Sequence, residues 1–141
     1  MGIEQTVDLL KNLIFDSHRY KEMDKFIGEF FLIAATLDKR GRIISIGENS
    51  LTKTHPLMNY YSNKTKMKHK IYLHAELSAI VKSFTLAYSI VVIRINRSGK
   101  LAMARPCPIC TCAIKEAKIK KIWFSNAEGG ITMIPVGGDN E

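Results

Sequence analysis

Four residues in this 141-residue chain have the types and spacing of a hydrolytic metal centre: His74, Glu76, Cys107 and Cys110. One nitrogen and two sulfurs are donor types that zinc prefers, and three donors leave the fourth tetrahedral position for water, as catalytic zinc sites do. Helix N-termini favour thiolate over thiol, which lowers the deprotonation cost of binding. Cys107 and Cys110 are three apart at the start of a helical pattern, so both sulfurs can converge on one ion. His74 and Glu76 are two apart and would diverge in mid-helix; only at an entry turn can both address one cavity. A carboxylate there can take a proton from water and pass it to a leaving group, which makes the site hydrolytic. The bland alternatives are a histidine at a helix start, two buried thiols and a carboxylate stabilised by the helix dipole. Their joint occurrence favours zinc. Cys112, the third cysteine, falls on another side of the helix and is expected to be a buried, inert thiol. Three cysteines within six positions suggest metal or redox chemistry and not a disulfide framework.

The elements that must carry these residues follow from hydrophobic periodicity. Ile3, Val7, Leu10 and Ile14 recur at helical spacing, which predicts a first helix. Residues 29–37 and 42–46 are apolar runs separated by Asp38-Lys39-Arg40-Gly41, which predicts a β-hairpin. Residues 50–73 are polar, hold Pro56, Tyr60 and Tyr61, and carry five lysines with no acid; a long functional loop is expected. A second helix is expected from His74 to about Thr85, with Leu77, Ile80, Val81 and Phe84 on one face. Residues 89–96 form the most β-branched run and suit a buried central strand, closed by a turn at Arg97-Ser98-Gly99-Lys100. Pro106 and Pro108 suit the first turn of a helix continued by Ala113, Ile114, Ala117 and Ile119. Two further strands, 121–125 and 131–136, are joined by about five residues. That is too few for a helical crossover, so the last two strands are expected to form an antiparallel hairpin. This order predicts one three-layer α/β/α domain over residues 1–141, with a mixed five-stranded sheet.

Composition narrows the class further. With 46% apolar and 24% charged residues, the chain can bury a core without disulfides, which excludes disordered and fibrous classes. Its most apolar stretch, residues 30–37, is far short of the roughly 20 residues a membrane span requires, so a soluble, cytoplasmic protein with no membrane partner is expected. The opening Met1-Gly2-Ile3-Glu4-Gln5-Thr6 matches the myristoylation pattern, but no polybasic run or second acyl site accompanies it. Net charge is +8, spread unevenly: residues 1–48 carry 7 positive and 8 negative charges, 49–125 carry 14 and 2, and 126–141 carry 0 and 3. Such a basic middle favours anionic partners, while solubility alone also explains a basic face. Tyr60 and Tyr61 are read as packing against the domain, with base stacking as the alternative. His55 and His69 have no partner pattern, and Trp123 is read as core or subunit interface.

His74-Ala75-Glu76 followed by Pro106-Cys107-Pro108-Ile109-Cys110 carries a resemblance. Through HAELSAI at 74–80 and RPCPICTCAI at 105–114, and through an order of elements covering about residues 3–135, the chain resembles the cytidine deaminase superfamily. The resemblance implies a cytidine-deaminase-like fold and one zinc ion per chain on His74, Cys107 and Cys110. It implies Glu76 as general acid and base and not as a ligand. Ile46-Gly47-Glu48-Asn49 is similar to the superfamily's Gly-x-Asn segment, which implies a sugar contact for Asn49. The backbone amide of Ala75 would hold the base. Lys53-Thr54-His55-Pro56 and Phe124-Ser125-Asn126 are similar to compact deaminases encoded by bacteriophages and large DNA viruses. Relatives of this size are commonly dimers or tetramers, which implies a homo-oligomer.

The implied reaction converts the cytosine of cytidine, deoxycytidine or deoxycytidine monophosphate to uracil. Indications of substrate point two ways. Deoxycytidylate deaminases often carry asparagine two residues after the motif's glutamate, where this chain has Ser78, and their regulatory insertions are not evident. The closing hairpin also points toward the cytidine deaminase branch. The lysine-rich stretch, in contrast, suits a 5′-phosphate or a phosphodiester backbone. Two other functions stay open: deamination of cytosine in single-stranded nucleic acid, and a zinc module that binds nucleic acid or protein without turnover.

Overall fold

The structure, a computed structural model, describes residues 2–17, 20, 31–50, 55–66, 73–96 and 98–137. Met1, residues 29–30, 51–54 and 67–72, and Arg97, on which expectations given above fall, lie outside the described residues. Among those described, four helices and six strands follow in the order α1 (Ile3–Asp16), β1 (Phe31–Leu37), β2 (Ile43–Glu48), α2 (Pro56–Thr65), α3 (Ala75–Lys82), β3 (Ser89–Ile95), β4 (Leu101–Ala102), α4 (Pro108–Glu116), β5 (Lys121–Ser125) and β6 (Ile131–Pro135). The strands form one sheet in the order β2-β1-β3-β5-β6, with β4 paired to β3. β3 and β5 run parallel across a crossover that contains α4; the other pairings are antiparallel, including the closing hairpin.

Alternation along the central strands divides the core into two layers. Phe31, Ile33, Ala35 and Leu37 of β1 join Val91, Ile93 and Ile95 of β3 against Val7, Leu10 and Ile14 of α1. Ala34 of β1, with Ile90 and Val92 of β3, faces the opposite way, toward Ala75 and Ala79 of α3 and Ile114 of α4. A strand buried on both faces reads as an unbroken apolar run, which is why β3 was legible as central. The first hairpin closes where its turn residues predict. The Asp38 carboxylate accepts the backbone N–H groups of Arg40 and Arg42 at 2.9 Å, and Gly41 adopts a φ of 81°. No helix of the described residues is long and apolar enough to cross a membrane.

Three expectations are corrected. The sheet has a sixth strand: β4 is two residues long, pairing Leu101 with Ile95 and Ala102 with Arg94, and carries too little periodicity to be read from sequence. Residues 56–65, expected as loop, are α2. His55 caps it by accepting the Leu57 N–H on Nδ1 at 3.1 Å, and Pro56 stands in the first turn, where proline is preorganised for a helix. Only Met58, Tyr61 and Ser62 of this helix are buried, so its apolar stripe is narrow. Finally, α3 stops at Lys82, capped by Ser83, and the Phe84 expected on its buried face is 84% exposed.

Candidate metal centre and active site

Both halves of the donor set lie at helix N-termini. His74 is the N-cap of α3, with φ −82° and ψ 155°, and Cys107 is the N-cap of α4, with φ −72° and ψ 170°. Because His74 is still extended, helical divergence does not separate it from Glu76 in the first turn. Pro108 follows Cys107 where its missing N–H costs nothing, and Cys110 comes three residues after Cys107. Each turn is closed by backbone bonds: Ser78 N–H to the His74 carbonyl at 2.9 Å, and Thr111 N–H to the Cys107 carbonyl at 2.8 Å.

Packing holds the two N-termini together from behind. Leu77 of α3, Ile109 and Ala113 of α4, and Met58 and Tyr61 of α2 form one buried cluster. The Tyr61 hydroxyl donates to Glu116 at 3.2 Å, and Lys64 pairs with the same carboxylate, so α2 is latched to the far end of α4. The approach to Cys107 is tied to the sheet through Ser125, whose hydroxyl donates to the Ala102 carbonyl at 2.5 Å and accepts the Arg94 N–H at 3.1 Å.

The result is a convergent donor set. His74 Nδ1 lies 3.3 Å from the Cys110 sulfur and 3.5 Å from the Cys107 sulfur, and the three donor atoms all lie within 4.8 Å of one another. Zinc bonds of ordinary length at tetrahedral angles put a nitrogen and a sulfur about 3.6 Å apart, so both nitrogen-to-sulfur separations fit a single ion. The donor chemistry fits too. His74, Cys107 and Cys110 could hold one zinc ion, with the histidine bound through Nδ1.

Electrostatics distinguish Cys107, Cys110 and Glu76. The Cys107 thiol is pulled down to about 4, first by a hydrogen bond from the Cys110 thiol and then by His74, against a desolvation that opposes it. The Cys110 thiol moves the opposite way, well above its ordinary range, because it donates to Cys107 and is buried. Glu76 is 5% exposed, and burial raises its carboxyl above the usual range despite a lowering influence from His74. A carboxyl raised by desolvation holds its proton more readily than one in water.

The remaining expected site residues occupy definite places. Ala75 is fully buried, and its N–H is one of the four at the start of α3 with no intrahelical partner. Asn49 is half-buried just past β2; its side-chain carbonyl accepts the Leu32 N–H at 3.1 Å, which anchors it to the start of β1. Cys112 is not buried as expected. It is half-exposed, and its thiol faces Glu116 at 3.8 Å, because two residues along a helix turn it away from Cys110. Tyr61 packs under the helices, its hydroxyl pushed up to about 12 by burial and by Glu116, while Tyr60 is 51% exposed. Trp123 packs partly buried against the cluster beneath α1. Sequence reasoning missed α2 as a support of the site; the signal was present in His55-Pro56, a capping residue followed by a first-turn proline.

A model of the cytidine and deoxycytidylate deaminase zinc-binding region matches residues 17–126, a span that contains His74, Glu76, Cys107 and Cys110. No curated protein matches the chain.

Proposed function

Because the chain belongs to the cytidine and deoxycytidylate deaminase family, we propose that it deaminates the cytosine of a nucleoside or nucleotide (cytidine, deoxycytidine or deoxycytidine monophosphate). The products are the uracil counterpart and ammonia, and residues 1–141 act as one deaminase domain. One observation carries the proposal: a buried carboxylate, Glu76, stands two residues from a ligand in a convergent His/Cys/Cys donor set.

His74, Cys107 and Cys110 hold the metal. Zinc, when bound, supplies the acidity that makes water a nucleophile near neutral pH. Glu76 takes the proton of the attacking water on its carboxylate as oxygen adds to C4 of the ring, and delivers it to N3. Glu76 then takes the second proton from the hydroxyl now on C4 and passes it to the exocyclic nitrogen; the C4–N bond breaks as the C4 carbonyl forms, and ammonia leaves. Ala75 donates its unpaired helix N-terminal N–H to the base, whose ring carbonyl is the matching acceptor. Asn49, anchored to the start of β1 by the bond from the Leu32 N–H, contacts the sugar.

The test is to incubate the zinc-loaded protein separately with cytidine, deoxycytidine, deoxycytidine monophosphate and a cytosine-containing single-stranded oligonucleotide, following the ultraviolet loss of cytosine. Turnover of a free nucleoside or nucleotide supports the proposal and identifies the substrate. Turnover of the oligonucleotide alone supports a polynucleotide substrate instead. That second function is favoured by one observation, the exposed Tyr60 ring with the Lys64 ammonium 5.6 Å from its centre, a pairing that suits a stacked base beside a phosphate. If all four stay intact with one zinc per chain, the cytosine proposal fails. A homo-oligomer is part of the proposal, and sedimentation of the zinc-loaded protein checks it.

A further inference from the structure

β2 meets α3 along one row of alternate residues, Ser45, Gly47 and then Asn49, and the first two of these touch the helix. Ser45 is buried, and its hydroxyl donates to the Ala79 carbonyl at 2.6 Å. That leaves Ser45 with no second proton, so the fully buried Thr36 hydroxyl donates to it, at 2.5 Å. Ala79 lies in the last turn of α3, where carbonyls lose their intrahelical partners. The N–H that would reach it in a longer helix, that of Ser83, bonds to Ile80 at 3.1 Å. Ser45 therefore closes the end of α3 from a neighbouring strand.

Two residues on, there is no room for a side chain at Gly47. A Cβ there would stand 2.4 Å from the Ala79 nitrogen, 2.7 Å from the Ala75 carbonyl oxygen and 2.7 Å from the Ser78 Cβ. Strand and helix backbones are thus in direct contact over the turn from Ala75 to Ala79. A helix of eight residues is too short to hold itself, so these contacts set its position along its own axis. That helix carries Glu76 and follows His74, while β2 leads into Asn49.

We propose that Ser45, backed by Thr36, and Gly47 are positioning residues for the reaction: they fix α3 against β2 so that Glu76 keeps its place beside the donor set. The inference rests on the deaminase function proposed above. A group displaced by about 1 Å costs on the order of 100-fold in rate, so a lost axial contact acts on turnover before it acts on binding.

The experiment compares zinc-loaded wild type, S45A and T36S for kcat, KM, zinc per chain and thermal melting, and reads the visible spectrum of each protein loaded with Co2+ in place of zinc. S45A is expected to melt cooperatively and keep one metal per chain. Its kcat should fall roughly 10- to 100-fold with KM within about twofold, and its cobalt bands should shift as His74 moves with the helix. T36S retains the hydroxyl and should match wild type. A lowered melting temperature in S45A with wild-type kcat and wild-type cobalt bands overturns the proposal. If wild type turns over no cytosine substrate, the deaminase function fails, and the cobalt spectrum alone decides whether Ser45 positions α3. Should S45A not fold, T36V goes through the same measurements; a kcat drop of about threefold or more supports the role, and unchanged kcat and spectrum refute it.

Discussion

His74 Nδ1 and the Cys110 sulfur, separated by 36 positions in the chain and carried at the starts of two different helices, stand 3.3 Å apart. That contact exists because α3 and α4 pack side by side through Leu77, Ile109 and Ala113 with their N-termini at the same end. Glu76 enters the same region from the first turn of α3.

Glu76→Gln keeps the volume of the side chain and removes its capacity to carry protons. Turnover of the identified substrate should drop at least about 100-fold while zinc stays at one per chain. Steady-state kinetics beside metal analysis check this; wild-type kcat in the variant excludes Glu76 as acid and base.

Among the three cysteines, metal retention should follow geometry and not proximity in sequence. Cys110→Ser and Cys107→Ser should lose tightly held zinc on dialysis, whereas Cys112→Ser should keep one ion per chain, because its thiol faces Glu116. Removing the metal with a chelator should lower the melting temperature but leave the far-ultraviolet circular dichroism intact, since neither apolar layer of the sheet includes a zinc donor. Loss of zinc from Cys112→Ser, or collapse of the dichroism on chelation, contradicts this division.

The Lys64–Glu116 latch predicts how stability depends on pH. Hydrogen bonding with Lys64 lowers the Glu116 carboxyl, so its stabilisation is present above the unfolded carboxylate range and is lost as pH falls through the lowered folded value. The same bond raises Lys64, whose part is present below its unfolded range and is lost as pH rises through the raised value. Urea unfolding of wild type and Glu116→Gln should therefore differ between about pH 5 and 10, and the gap should narrow as pH falls below that range. Both groups are at the surface, so the difference should shrink in high salt. A gap that does not narrow as the carboxylates are protonated in acid would falsify the latch as its source.

Leu10 is fully buried in α1, on the face of the sheet opposite the donor set. Leu10→Ala should cost about 2–5 kcal/mol of stability, a cavity effect, without changing zinc content. Chemical denaturation and metal analysis of the same preparation test it, and loss of zinc in a folded Leu10→Ala protein would show that the two faces are coupled.

Much of the site could be read from local pattern. A histidine and a glutamate two apart, and two cysteines three apart behind prolines, satisfy rules that operate within one helical turn. The placement of α2 was not legible in the same way. Its buried stripe is Met58, Tyr61 and Ser62 amid polar neighbours, and the stripe gains meaning only once Leu77 and Ile109 lie beneath it. Phe84 failed for the converse reason: it continues the apolar spacing of α3, but the helix has already ended at Lys82.

Donor types, the entry turns that present them, the central apolar strand and the antiparallel closing hairpin all follow from the chain alone, because periodicity, capping and loop length are local properties. Which faces meet is a different matter. The approach of His74 to two sulfurs more than thirty positions away, the bond from Ser45 to Ala79 and the contact of Gly47 with α3 each join segments distant in sequence. Such contacts are decided by how a sheet and four helices fill one volume, and only the packed structure assigns them.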